Sequence, residues 1–338
     1  MEKRIQQNIM KDKMSNETFI TLFMIGVLLI IFFVACLFVP NFFSLNNALN
    51  LISNNWYIIM IGIGVTFLLI TGHMDMSVGG VIAMSGVLAV YFCQGSGGSQ
   101  PLAIGLGMPY GVAVVLALLC AMVIGAINAF FIAKLKVASI IITLGTMFLS
   151  RGIAQIVTLG AQRNTGLPEV FGVVGNAAIP GTSIKVAVAI MLTMVFVAFL
   201  VEKKTVFGRR TYLIGANSEA AKLSGIKFTR HVAILYILSS LLAGITGILL
   251  ASAFKAGYSS RGTGYEFDAL CITLLGGTSI AGGFGSVLGT LVGALIFSVV
   301  TSAATGLLLS PDWSYVIKGV VTFLAIMAQR YALDKRNG

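Results

Sequence analysis

Residues 202–231 read EKKTVFGRRTYLIGANSEAAKLSGIKFTRH, the longest polar stretch in a chain that is otherwise close to continuously apolar. The stretch carries Lys203, Lys204, Arg209, Arg210, Lys222, Lys227 and Arg230 against only Glu202 and Glu219. A basic island between two apolar halves has to lie in water on one side of a membrane, and basic loops favour the cytoplasmic side. Inside the island, the run NSEAAKLSG has the marks of a short helix. An oxygen of Asn217 or Ser218 can satisfy a free backbone N–H at its start, and Gly225 tolerates the left-handed backbone that ends a helix. Asn217, Ser218, Glu219, Ala220, Ala221, Lys222, Leu223, Ser224 and Gly225 therefore form either a handle that another protein grips or a solvated surface turn.

The composition sets the class. The 338 residues are 57% hydrophobic and 10% charged, whereas soluble globular chains carry about 25% charged residues. No soluble core hides that much apolar surface, so the fold class is an all-α polytopic membrane protein. An outer-membrane barrel is excluded, because barrel strands alternate and these runs do not. The net charge of +11 falls in loops and tails, which topology explains without nucleic acid. Cys36, Cys93, Cys120 and Cys271 sit in apolar runs at no metal-like spacing and read as small core hydrophobes. The first apolar run is too long for a cleavable leader, and no small-residue cleavage pattern follows it.

Working outward from the island, residues 1–18 read as a cytoplasmic tail, 19–331 as a transmembrane domain containing the loop 202–230, and 332–338 as a second cytoplasmic tail. A spanning helix needs about 20 apolar residues. The apolar runs lie at roughly 19–39, 56–72, 77–93, 110–133, 137–160, 183–201, 231–253, 267–281, 286–308 and 313–330. That gives about ten transmembrane helices, the second, third and eighth of them short. Pro40 ends the first, and Pro101 and Pro109 precede the fourth. With both termini inside, the inner side holds Lys3, Arg4, Lys11, Lys13, Lys134, Lys136, the seven basic residues of the island, Arg330, Lys335 and Arg336. Only Arg151, Arg163, Lys185, Lys255, Arg261 and Lys318 fall elsewhere, an asymmetry that supports this orientation.

The fourth span has a small residue at every fourth position, Ala113, Ala117, Ala121, Gly125, Ala129 and Ala133, and the ninth has Gly285, Gly289 and Gly293. Small residues at this spacing let helix backbones approach closely in lipid. Aligning Gly125 with Gly293 also brings Ala121 onto Gly289 and Ala117 onto Gly285, a weak internal repeat of the kind transporters carry. Its two halves flank the basic island.

Three acids fall within or beside apolar runs: Asp75, Glu266 and Asp268. A charge at the bilayer centre costs at least roughly 2.5–3.5 kcal/mol on insertion scales, so such residues face protein or water. In TGHMDMSVGG, Gly72, Gly79 and Gly80 argue for a broken or re-entrant segment rather than a regular span. Asp75 then either lines a solute path or caps the next helix together with Ser77. In GTGYEFDA, Glu266 and Asp268 complement a helix N-terminus. Asn128, Thr143, Thr146 and Thr273 lie deep in helices, where they hydrogen-bond either solute hydroxyls or a neighbouring helix. His73 joins the path candidates, with a local hydrogen-bonding role as its other reading. The run GGFGSVLG follows an apolar helix rather than a strand and has the wrong spacing for a dinucleotide loop. No GxxxxGK[ST], HExxH, CxxC or GxSxG occurs. No catalytic residue, metal site or cofactor is therefore expected in this chain.

TGHMDMSVGGVIAMSG, FGRRTYLIGANSEAAKLSGI and GTGYEFDALCITLLGGTSIAGGFGSVLGTLVGAL occur in this order. The chain from about 40 to 330 strongly resembles the permease subunit of ribose- and galactose-type ABC sugar importers. The first motif departs from that family's usual GGIDLSVG, since His73 replaces a glycine and Met76 a leucine. The resemblance implies a bacterial inner-membrane subunit that dimerises with a second permease, identical or paralogous. ATP and Mg would be bound by a separate ATPase subunit, and a sugar-binding protein would deliver solute to the outer face. Residues Glu219 to Gly225 would form the coupling helix seated on the ATPase. A stand-alone secondary transporter is the competing class, which would bind its coupling ion on intramembrane acids or bases. A membrane scaffold is a third, needing no broken helices.

Overall fold

The computed structural model describes the backbone of residues 2–95, 104–182 and 184–310 with scattered positions from 313 to 327, and side chains from residue 19 onward apart from 45 and 46. The charges of the 1–18 tail, Pro101, Lys318, much of the expected span 313–330 and the tail 332–338 lie outside the described residues.

Among the described residues the elements are helices, running α1 (Glu2–Phe38), α2 (Leu45–Ser53), α3 (Trp56–Ile70), α4 (Val78–Cys93), α5 (Tyr110–Ala129), a π-helical turn (Phe130–Lys134), α6 (Ser139–Thr158), α7 (Glu169–Asn176), α8 (Val186–Lys204), α9 (Val206–Ala216), α10 (Ser218–Leu223), α11 (Phe228–Phe254), α12 (Tyr265–Leu275) and α13 (Val287–Gly306). Among the described residues, six helices are long and apolar enough to cross a bilayer. A seventh crossing results if α2 and α3, bent by 49°, act together.

Of the about ten crossings expected, 313–330 lies mostly outside the described residues, and two others, α4 and α12, are too short to count, for a local reason. At 1.5 Å per residue a crossing of about 30 Å needs roughly 20 residues. α4 has 16 residues and α12 only 11. Both begin after glycine-bearing segments that enter the bundle: in 71–77, Thr71, Asp75, Met76 and Ser77 are buried. Neither helix reaches the length of a full crossing.

Helix α11 is central and packs against α3, α4, α5 and α7. α5 turns its small stripe inward, with Ala113, Ala117, Ala121, Gly125 and Ala129 buried, while Val112, Val115, Leu119 and Val123 remain exposed. Close approach explains the stripe. A methyl on Gly125 would lie 2.8 Å from the carbonyl oxygen of Tyr236 in α11. In α13, side chains at Gly289 and Gly293 would collide with the carbonyls of Gly276 and Ile272. Gly285 differs: it precedes α13, has φ 146°, and packs on the side chain of Thr278. It is a loop glycine rather than part of the helical stripe.

Candidate functional site: a buried polar relay and an exposed short helix

The break between α3 and α4 is built by backbone chemistry. Gly72 (φ 76°) supplies the left-handed turn after α3. Its N–H donates to Leu69 O at 2.8 Å, and the His73 N–H to Leu68 O at 3.0 Å. This pair of bonds closes a Schellman motif. The chain then bends at Asp75, whose Oδ1 accepts from the Ser77 N–H at 2.9 Å and from Ser77 Oγ at 2.5 Å. Its Oδ2 accepts from Ser239 Oγ of α11 at 2.7 Å. Ser77 Oγ in turn accepts from Asn128 Nδ2 of α5 at 3.0 Å, and Asn128 Oδ1 accepts from Thr146 Oγ1 of α6 at 2.7 Å. Tyr236 Oη donates to Met74 O at 3.0 Å.

Asp75, Ser77 and Asn128 have no solvent exposure, and their side chains face one another. The directed chain Thr146 → Asn128 → Ser77 → Asp75 therefore ties α5, α6 and the broken segment together, with Ser239 closing it from α11. Thr143 sits one turn before Thr146 and spends its hydroxyl on Ser139 O at 2.8 Å. His73 stands apart, half-buried, with Nδ1 3.1 Å from Thr71 Oγ1. It lines a recess of about 340 Å³ with Lys136 and Phe228.

The second break holds the other two acids. Gly264 (φ 83°) opens α12, and Glu266, 5% exposed, accepts from the Gly264 N–H at 3.3 Å. Its Oε2 has no hydrogen-bond partner among the described residues. A side chain at Gly79, in the first turn of α4, would collide with that oxygen and with Gly262 O near the start of α12. The N-terminal ends of α4 and α12 therefore meet, and a carboxylate sits where both helix dipoles are positive. Arg151 of α6 holds the preceding loop through Ser259 O at 3.1 Å and Thr263 Oγ1 at 2.7 Å. Asp268, two residues further along α12, is half-buried, and Thr273 donates to Leu270 O at 2.8 Å within its own helix.

The basic segment folds as two short helices. Thr205 caps α9, and Asn217 caps α10 by accepting from the N–H groups of Glu219 and Ala220, both at 3.0 Å. Gly225 (φ 78°) ends α10. Ala221 is buried beneath the helix, Leu223 is 90% exposed, and Lys222 pairs with Glu219. Phe228 lies under two ammonium groups, Lys136 at 3.9 Å and Lys222 at 5.4 Å from its ring centre. Burial, and then the nearby Lys222, hold the Lys136 ammonium below its ordinary pKa.

Sequence reasoning missed Ser239 and Tyr236 of the relay, and Glu202 and Gly215 beside it. Glu202 appears in the sequence only as a minor acid within the island, yet it is buried and accepts from Tyr212 Oη at 2.9 Å and from the Val287 N–H, at the start of α13, at 2.7 Å. Gly215 of α9 is pressed onto Ile70 O, where any side chain would collide. The one signal for Glu202 was a lone acid at the edge of a basic run. Nothing in the sequence marked Gly215.

Comparison with known proteins resolves the family. Residues 47–326 match the model described as branched-chain amino acid transport system / permease component. The chain belongs to this family of permeases. The permease is 31% identical over 312 residues to the ribose import permease protein RbsC of Haemophilus influenzae, covering 91% of this chain and 93% of that one. It is 32% identical over 305 residues to the galactose/methyl galactoside import permease protein MglC of Escherichia coli K12, covering 88% and 90%. It is 34% identical over 310 residues to the L-arabinose transport system permease protein AraH of the same strain, covering 90% and 89%. No solved structure matches the permease. It is a multi-pass membrane protein of the transporter class, and the relatives it matches along most of their length are sugar permeases.

Proposed function

We propose that this permease forms the membrane path of an ABC importer for a neutral monosaccharide of the ribose, galactose or arabinose class. Its loop 202–230 faces the cytoplasm, as its seven basic residues favour, and both termini lie on the same side of the inner membrane. α10 is the coupling helix, seated on a separate ATPase that binds ATP and Mg. A second permease copy or paralogue and an extracytoplasmic sugar-binding protein complete the assembly.

One observation carries the coupling assignment: α10 is exposed and capped, and the helix leading into it is wedged on the membrane bundle at Ile70, five residues before Asp75. Force on α10 passes through α9 to the end of α3 and so to the buried relay. Packed interfaces of this kind switch between discrete arrangements rather than deforming smoothly, which suits alternating access. The test is uptake and ATP hydrolysis measured together for Gly225→Val and Glu219→Lys. Hydrolysis with lost uptake and intact membrane insertion supports the assignment, and normal uptake removes it.

A further inference from the structure

At the end of α13 remote from Glu202 lies a cavity of about 480 Å³ between α2, the end of α1 and α13. It is about 20 Å along the helix axis from the Val287 contact, at 1.5 Å per residue. Its volume lies in the range of small-ligand sites.

The chemistry of its walls is specific. Asn47 and Asn50 of α2 and Asn54, which caps its C-terminal end, are spaced three and four residues apart along one wall. Across from them α13 presents Ser302 and Thr305. Ser302 donates to Asn47 Oδ1 at 3.2 Å, and Asn47 Nδ2 donates to Phe42 O at 2.9 Å, so that amide is fixed from both sides. The amides of Asn50 and Asn54 make no hydrogen bond among the described residues, and both side chains are exposed to the cavity mouth. Each offers an acceptor oxygen and two donor hydrogens. Tyr57 adds an aromatic wall, held by a stacked Tyr265 at 4.7 Å between ring centres. Among the described residues that line it, none is Asp, Glu, Lys or Arg.

We infer that this cavity is an entry subsite for an uncharged polyhydroxylated solute, a monosaccharide. Free amides and hydroxyls match vicinal hydroxyl groups, which donate and accept in the same way. The aromatic wall suits the apolar face of a sugar ring. An ionic solute would lose its hydration here with no countercharge to replace it. The inference rests on the sugar-importer reading and names a place on this chain where the solute first makes contact.

The test is saturation-transfer NMR on the full-length permease in lipid nanodiscs, with D-ribose, D-galactose and L-arabinose as probes and gluconate as a charged control. The wild-type permease is expected to transfer saturation to at least one of the three sugars and not to gluconate. The double variant Asn50→Ala/Asn54→Ala should weaken that binding by roughly tenfold, with thermal melting unchanged because both residues are exposed. No transfer to any of the sugars, equal transfer to gluconate, or an unchanged signal in the double variant would each overturn the subsite. Co-purification of the ATPase with the same double variant is scored separately: its loss in the wild type as well would count against the importer reading, whereas its retention beside a failed sugar signal counts against the subsite alone.

Discussion

Gly283 donates its backbone N–H to the carbonyl oxygen of Ile70 at 2.7 Å, and Gly215 is pressed onto the same oxygen. Three segments meet at one carbonyl: the end of α3, the end of α9 and the loop before α13. Gly282 and Gly72 pack beside it. The contact is backbone on backbone, so it has no side chain that could rotate out of the way.

Gly215→Ala should therefore be costly although only one methyl is added. Overpacking of this kind costs typically 1–3 kcal/mol. The variant should insert normally, melt at lower temperature, and lose more sugar uptake than ATP hydrolysis in the assembled importer. Parallel assays of the two activities check this, and an equal fall in both would assign Gly215 to stability alone.

The carboxylate of Asp75 accepts three hydrogen bonds, from the Ser77 N–H, Ser77 Oγ and Ser239 Oγ. Asp75→Ala strands those donors in a buried site, where each unsatisfied group costs about 1–3 kcal/mol. Asp75→Asn keeps an acceptor oxygen and should lose much less. A double-mutant cycle of Asp75→Asn with Ser239→Ala should give a coupling energy of about 0.5–3 kcal/mol, read from thermal or denaturant unfolding in detergent. Additive effects would dissolve the relay as a unit.

Arg163 lies in the loop after α6 and is 3% exposed. Its Nε donates to Gln94 Oε1 at 3.0 Å, Nη1 to Val157 O at 2.7 Å and Nη2 to Ile104 O, while its guanidinium lies over Tyr91. Burial pulls its pKa down from the usual arginine value. Lysine carries its three donors on one nitrogen and cannot reach the acceptors that a guanidinium meets with three. Arg163→Lys should destabilise the permease by about 2–3 kcal/mol and loosen the hold of Gln94 and Ile104 on the end of α6 and the loop that follows it. Melting temperature, and proteolysis in the loop after α6, measure it.

What the sequence revealed and what it hid follow from the range of the interactions. Composition and the run lengths dictate a helical membrane protein, because nothing else buries so much apolar surface. The caps at Asn217 and Gly225 were legible because capping is local, acting over three or four residues. The broken character of 71–77 was legible from Gly72, whereas Gly79 and Gly80 lie inside α4. The number of crossings was not: a run such as 267–281 is apolar enough to span, but whether it does depends on where Gly264 and Gly276 place its ends. The partners of Glu202, Asp75 and Gly215 lie 85, 164 and 145 positions away, and no local pattern encodes such pairings.

Asn217 fixes the start of α10 through two N–H groups. Replacing it with alanine should destabilise that helix by about 0.5–2 kcal/mol. Since α10 has only six residues, the loss should unfold it in the free permease. Weaker co-purification of the ATPase, with Asn217→Ser restoring it, is the expected outcome.

The most direct test of the account labels Leu223→Cys with a membrane-impermeant maleimide in right-side-out and inverted vesicles, with the ATPase subunit bound or washed away. Leu223 is 90% exposed on α10, so the cysteine will react wherever the reagent reaches it. Labelling only in inverted vesicles, and protection when the ATPase is bound, is the predicted result. Labelling in right-side-out vesicles, or labelling indifferent to the ATPase, would contradict it.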